Sequence, residues 1–298
     1  MKISVISVLY DQKLEAGNTW NTLLLPVLQT SGDFGEAEST ESERQSKNDQ
    51  AIQILLADNS DDPQIREENR RTAEAYGAVY LDMQGNQGLP KAYNRAVENL
   101  LSQEEGLADE WIVLTDQDTV FPSNYLQILS QTAVLTDCEV LAPVVKAGSR
   151  QLSPCRKKGM RFVPYGTEIL SETEVQEAFF INTGLAFRNT LFEDPRIRFE
   201  ERLFLDFTDF DMINRLRAWK RVRCGQLSGI VLQQNFSGTE ARTADQDLER
   251  FRHYVHDGRL FYERWYGEGA AERTLRIRAM HLAARHRDPR FLKACVGP

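Results

Sequence analysis

The chain has few of the residues that usually build a metal cage or a disulfide scaffold. Its 298 residues include four cysteines and four histidines. Cys138, Cys155, Cys224 and Cys295 form no C-x-x-C pair, and no nearby His completes a zinc pattern. They read as free thiols of a reducing compartment. Long apolar runs are missing too. Leu23 to Leu28 and Trp111 to Leu114 fall far short of the roughly 18 residues that a membrane-spanning helix requires. Nor is there an excess of positive charge. Lys and Arg total 36 against 44 Asp and Glu, a net charge of −8, which disfavours general phosphate-backbone binding and predicts no nucleic-acid partner. There is no G-x-G-x-x-G, no P-loop signature and no internal repeat. The apolar opening, Ile3 to Tyr10, is rich in β-branched residues and ends at Asp11 without a small-residue cleavage site. It reads as a buried first strand rather than a signal peptide, so a cytoplasmic protein is expected.

What is present is an alternation of strands and helices. Strands are expected at 2–9, 52–57, 78–81 and 111–115, with helices near 18–29, 63–76 and 89–102 between them. That order predicts an α/β fold with a mixed, mostly parallel sheet flanked by helices. Residues 31–50 are polar and acidic and read as a flexible surface insertion. The second half is less regular. A strand is expected at 141–145, a basic loop at 146–161, an apolar stretch broken by Asn182-Thr-Gly184, a helix through Arg217 and a last strand at 230–232. From about Leu248 the chain reads as a helical, basic extension. The expected division is a catalytic domain over 1–245 and an extension over 246–298.

The polar clusters fall at the expected carboxyl ends of strands, where open α/β sheets bind ligands. Asp116-Gln-Asp118 follows a buried-looking strand, and two carboxylates at that spacing suit Mg²⁺ or Mn²⁺ on a diphosphate. Two other D-x-D triplets, at Asp209 and Asp245, show how weak the motif is alone. Asp58-Asn-Ser60 is open to two readings: an Asx turn, or a carboxylate that accepts a pyrimidine imide N–H. Asn86 through Asn94 joins a glycine turn to a helix start, with Lys91 and Asn94 on one helical face. Asp206 and Asp209 are three apart, which would also place them on one helical face, and aromatic neighbours suggest partial burial suited to a general base. Asp211 and Arg215 are spaced for an i,i+4 ion pair.

In their order along the chain, these motifs resemble the inverting family-two glycosyltransferases of GT-A fold. The resemblance rests on Ile3 to Tyr10, Ala57-Asp-Asn-Ser60, Asn86-Gln-Gly88 through Asn94, Thr115-Asp-Gln-Asp118 and Asn182-Thr-Gly184, over residues 2 to 265. Phe204-Leu-Asp-Phe-Thr-Asp209 through Arg215 is most similar to the rhamnosyltransferase branch. The resemblance implies transfer of a sugar from a dTDP- or UDP-linked donor to a saccharide or lipid-linked acceptor, in bacterial surface polysaccharide synthesis. It implies Asp209 as catalytic base, Asp58 at the pyrimidine, and Asn86, Lys91 and Asn94 at the nucleotide and diphosphate. It further implies Asp116 at the ribose or metal, Asp118 at the metal, Asn182 to Gly184 beneath the sugar, and Asp206 in the sugar pocket.

The chain departs from the family at one position. Many relatives place a His after the last strand, where Gln234 or Asn235 stands here, leaving a neutral oxygen ligand and metal dependence open. Two other readings are open. One is an impaired GT-A scaffold acting as a binding module. The other is a metal-dependent nucleotidyltransferase, disfavoured because residues 9–17 lack a glycine- and basic-rich triphosphate loop. The extension places Leu275, Ala279 and Leu282 on one helical stripe. Peripheral contact with the inner membrane, packing on the domain and a homodimer contact are all open for it.

Overall fold

The computed structural model describes residues 1–32, 51–102, 110–234 and 243–295. The acidic insertion at 31–50 thus lies almost wholly outside the described residues. Eleven strands are described: β1 (Lys2–Leu9), β2 (Ala51–Asp58), β3 (Val79–Asp82), β4 (Glu110–Asp116), β5 (Thr119–Val120), β6 (Val140–Ala147), β7 (Arg150–Ser153), β8 (Cys155–Lys158), β9 (Arg161–Pro164), β10 (Leu185–Arg188) and β11 (Cys224–Gln234). The helices are α1 (Leu25–Gly32), α2 (Pro63–Ala75), α3 (Leu89–Leu101), α4 (Tyr125–Leu135), α5 (Glu172–Glu177), α6 (Thr208–Trp219), α7 (Ala244–Tyr266), α8 (Glu268–His286) and α9 (Arg290–Cys295).

The main sheet runs β3-β2-β1-β4-β10-β6-β11-β5, with β7 added on β6. β3, β2, β1 and β4 are parallel, as are β6 and β11, while β10 runs antiparallel to both β4 and β6. The sheet is therefore mixed, with helices packed on both faces. β1 and β4 are buried in nearly every position because helices cover both sides. Ile6, Val8, Ile112 and Leu114 point to the face covered by α3 and α6. Ile3, Val5, Trp111 and Val113 point to the face covered by α4 and the first helical turns. The expected strands and helices are present, most with ends shifted by a residue or two.

The stretch 146–161 departs from expectation. It forms antiparallel strands, not a loop: β7 returns along β6 after a turn at Gly148, and β8 and β9 form a hairpin around Gly159. Both glycines have positive φ, 58° and 61°, which L side chains adopt rarely. β8 buries Cys155 and exposes Arg156, Lys157 and Lys158, so the basic character that suggests a loop belongs to an outer strand.

The extension folds onto the rest of the chain. α7, α8 and α9 share a core of Leu248, Phe251, Val255, Leu275, Ala279 and Phe291. Further along α7, Phe261 and Tyr262 pack with Phe162, Phe207 and Phe210 of the preceding part. The stripe Leu275, Ala279 and Leu282 is spent inside this helical cluster. Among the described residues, no helix is long and apolar enough to cross a membrane.

Candidate active site

Parallel pairing sets the site. β1 aligns Leu9 with Asp58 of β2 and Val8 with Asp116 of β4, so both aspartates emerge at one edge of the sheet. Beside them opens a cleft of about 350 Å³. Asp116, Asn182, Asp209 and Gln234 line it together with Leu89, Thr208 and Phe210. Its opposite wall is the strand insertion, through Arg150, Leu152, Cys155, Phe162 and Pro164.

Asp116 and Gln234 are 118 residues apart and meet because the end of β11 pairs with β5, just after Asp116, with Gln234 opposite Thr119. Gln234 Nε2 donates to Asp116 Oδ2 at 3.1 Å, and Tyr93 Oη donates to Asp116 Oδ1 at 3.4 Å. Burial and the neighbouring Asp118 push the Asp116 carboxyl up to about 7. Burial also raises Asp118. Two carboxylates held close in a poorly solvated pocket repel one another, and a cation would relieve that cost. The amide oxygen of Gln234 is buried and has no hydrogen-bond partner. An orphaned acceptor beside two strained carboxylates fits a divalent cation with hard oxygen ligands. Among the described residues, no three His, Cys, Asp or Glu side chains converge on one point. The chain's own donors are thus two carboxylates and an amide oxygen, and Asn235 lies outside the described residues.

Asp209 sits in the first turn of α6, where Phe210 N–H donates to its Oδ1 at 2.8 Å. Burial, with the nearby charges of Asp116 and Asp206, lifts its carboxyl to about 7. The helix start favours the anion, but desolvation prevails.

Asn182, Thr183 and Gly184 form the turn into β10. The Thr183 hydroxyl accepts from Asp116 N–H at 3.2 Å, and the amide oxygen of Asn182 is buried without a partner. Gly184 has φ of +72°, and a Cβ there would lie 2.3 Å from Leu232 Cδ1. Only glycine brings this turn so close to β11.

Several expected ligand contacts are placed elsewhere. Asp58 is fully buried and accepts from Ser60 N–H, Asn69 Nδ2 and Tyr80 Oη, each at 2.9 Å. Its carboxylate braces the turn after β2. Groups with more exposure lie around it: Tyr10 is 46% exposed, and its hydroxyl approaches Asp61 at 3.4 Å. Asn86 stands beside them, with its N–H on Asp61 Oδ1 at 3.0 Å. Lys91 and Asn94 do not share a working face. Lys91 is exposed and does not line the cleft. Asn94 is buried and holds the 199–201 segment through Phe199 N–H, Phe199 O and Glu201 Oε1 at 2.9–3.0 Å.

Asp206 and Asp209 likewise do not share a helical face. Phe207 takes a left-handed conformation, φ 62°, so α6 starts only at Thr208. Asp206 forms a bidentate ion pair with Arg250 of α7 and does not line the cleft. The pair Asp211–Arg215 forms as its spacing predicts, at 2.5 Å. Tyr93 and the role of α7 are not marked in the sequence. Neither carries a motif, since both contacts are long-range.

The mixed sheet, the helices on both faces and the carboxylate-lined edge define a GT-A glycosyltransferase architecture. Residues 37–194 match the family model described as Glycosyl transferase family 2, which is more than half of the chain, and the chain belongs to that family. Among solved structures, it is similar to S. aureus TarS at 16% identity and a TM-score of 0.50, over 96% of this chain and 43% of that one. The shorter S. aureus TarS 1–349 matches at 16% identity and a TM-score of 0.48, over 93% of this chain and 70% of that one. The same TarS segment in complex with UDP-GlcNAc matches at 14% identity and a TM-score of 0.48, over 93% and 71%. No curated protein matches the chain.

Proposed function

We propose that the protein transfers a sugar from a nucleotide-sugar donor to a hydroxyl acceptor with inversion, and that Asp209 is the general base. The observation that carries this reading is the cleft itself. It sets a carboxyl tuned to about 7 on one wall and the Asp116 group, with its unsatisfied Gln234 oxygen, at the base. A base needs a pKa near working pH to be ionised and still accept a proton. Asp209 takes the proton of the acceptor hydroxyl, and the oxygen attacks the anomeric carbon from the face opposite the diphosphate. The C–O bond to the nucleoside diphosphate breaks, and its electron pair leaves with the diphosphate.

Asp116, Asp118 and Gln234 would hold Mg²⁺ or Mn²⁺, which when bound supplies positive charge to the leaving diphosphate. Asn182 offers its unpartnered oxygen to a sugar hydroxyl, above the floor that Gly184 shapes. The cluster of exposed Tyr10 and Asp61 with half-buried Asn86 is the better place for the pyrimidine ring than the enclosed Asp58. Arg150, the one Lys or Arg among the residues that line the cleft, is placed to meet negative charge on either substrate.

L-Rhamnose from dTDP-rhamnose is the donor proposed, supported by the Phe204 to Arg215 run, and a saccharide or lipid-linked saccharide is the acceptor. A thermal-shift series with dTDP-, UDP- and GDP-sugars, with and without Mn²⁺, tests this. Binding to the native state raises Tm by mass action. A dTDP-rhamnose shift exceeding the others supports the reading. A larger shift with a UDP-sugar redirects the donor, and no shift with any of them removes the proposal.

A further inference from the structure

The segment that carries Asp209 is held mostly from outside the domain it belongs to in sequence. It hangs from α7 of the extension. Asp257 is fully buried, and its carboxylate accepts three consecutive backbone N–H groups: Phe204 at 2.9 Å, Leu205 at 2.8 Å and Asp206 at 2.8 Å. Two turns earlier on the same helix, Arg250 grips the Asp206 side chain with both terminal guanidinium nitrogens. One turn later, Phe261 stacks on Phe207, with centroids 4.8 Å apart and planes at 11°. Gly258 makes room for that ring, since a Cβ there would lie 3.3 Å from Phe207 Cε2. From the other side, Leu89 N–H donates to Phe204 O at 2.9 Å.

Four successive residues, 204 to 207, are thus pinned before the chain enters α6, and Asp209 follows two residues later. A buried carboxylate is costly, and one that spends itself on three main-chain donors is repaid by order in that segment. The left-handed Phe207 is a strained junction for a β-unbranched aromatic, and it persists only where its surroundings dictate it. Those surroundings come from α7.

We infer that Asp257 is a positioning residue for glycosyl transfer, holding the 204–207 segment so that Asp209 meets the acceptor oxygen, and that α7 is therefore a working part of the active site. The inference rests on Asp209 as the base. Errors of about 1 Å at a reacting group cost on the order of 100-fold in rate, whereas donor binding draws on the β1, β2 and β4 edge, which Asp257 does not touch.

The test is steady-state hydrolysis of the nucleotide sugar that raises Tm most, run on the full chain at a temperature well below every variant's Tm. Asp257→Asn keeps the shape but replaces one acceptor oxygen with a donor, so the three N–H groups cannot all be satisfied. The expected result is a 10- to 100-fold fall in kcat with donor Kd within threefold of the parent. Arg250→Gln, at a partly exposed site, is the second variant and keeps the test valid if Asp257→Asn does not fold. Its kcat is expected to fall three- to tenfold, again with donor Kd unchanged. Val255→Ala, on the same helix but facing α8 and α9, is expected to lower Tm and leave kcat within twofold. A kcat for Asp257→Asn within twofold of the parent overturns the inference, as does a Val255→Ala kcat that falls in step with its Tm. Hydrolysis retained by Asp209→Asn overturns both this inference and the base role. Hydrolysis lost in Asp209→Asn with Asp257→Asn and Arg250→Gln unimpaired overturns the positioning role alone.

Discussion

At the scale of single residues, the site works by withholding solvent from carboxylates. Asp209 binds its proton more tightly in the folded chain than in the unfolded one. Folding therefore loses stability as pH rises from about 4 to about 7, and the loss is complete above that window. Asp209→Asn removes the loss and still accepts from Phe210 N–H. The expected outcome is no transfer, donor affinity within a few-fold, and a gain of about 1–3 kcal/mol at pH 8 that is absent at pH 4, after discounting for the open cleft. Chemical denaturation at the two pH values checks it, and equal Tm changes at both would refute the linkage. For the parent enzyme, kcat/KM is expected to climb through a midpoint near pH 7. Gln234 is the second informative residue. Gln234→His replaces a neutral oxygen with imidazole and is expected to tighten Mn²⁺ binding by about tenfold, measured by calorimetry with UDP present. Unchanged binding would show that the residue at 234 does not meet the metal. Asp116, Asp118 and Asp209 could be singled out from the sequence because their chemistry is local to a strand end or helix start. Asp58 and Asn94 are equally polar, yet the fold turns them inward. For Asp58 the local sequence offers only the Asx-turn bond from Ser60; the other partners, Asn69, Tyr80 and Phe199, are 11 to 105 residues away.

At the scale of elements, strand ends do the positioning. β1 and β4 were legible as apolar, β-branched runs because both faces are covered. The short β7, β8 and β9 were not, since basic side chains on an outward face mask the alternation that marks a strand. The turn into β10 is the tightest contact between elements at the site. Gly184→Ala places a methyl group against Leu232 and Pro143 at positive φ, and is expected to cost about 2–3 kcal/mol. Loss of activity should accompany the fall in Tm, because Asn182 and Thr183 move with the turn. A variant with unchanged Tm would mean that β11 yields more easily than its burial implies. α6 shows the opposite case. Its amphipathic body is readable, but its start is set by Phe207, whose left-handed turn follows from contacts with Phe261 and Tyr262.

At the scale of the whole molecule, the extension is structural before it is anything else. The stripe of Leu275, Ala279 and Leu282, which could have lain on a membrane, is covered by α7 and α9. The full chain is therefore expected to stay unbound in flotation with anionic liposomes. Removal of residues 270–298 is expected to lower Tm, because Phe251 and Val255 lose their cover. Flotation of the intact chain that disappears on truncation would return the stripe to the membrane. By itself, the sequence determined the alternation of elements, the α/β class, the carboxylates at the sheet edge and the family, because periodicity and short motifs are local properties of the chain. Only the tertiary structure decided that Gln234 meets Asp116, that Asp58 and Asn94 serve the fold, that Asp206 belongs to Arg250, and that α7 holds the segment before Asp209. Each of these is a contact between residues far apart in the chain. It is fixed by how sheets and helices pack, which no local pattern records.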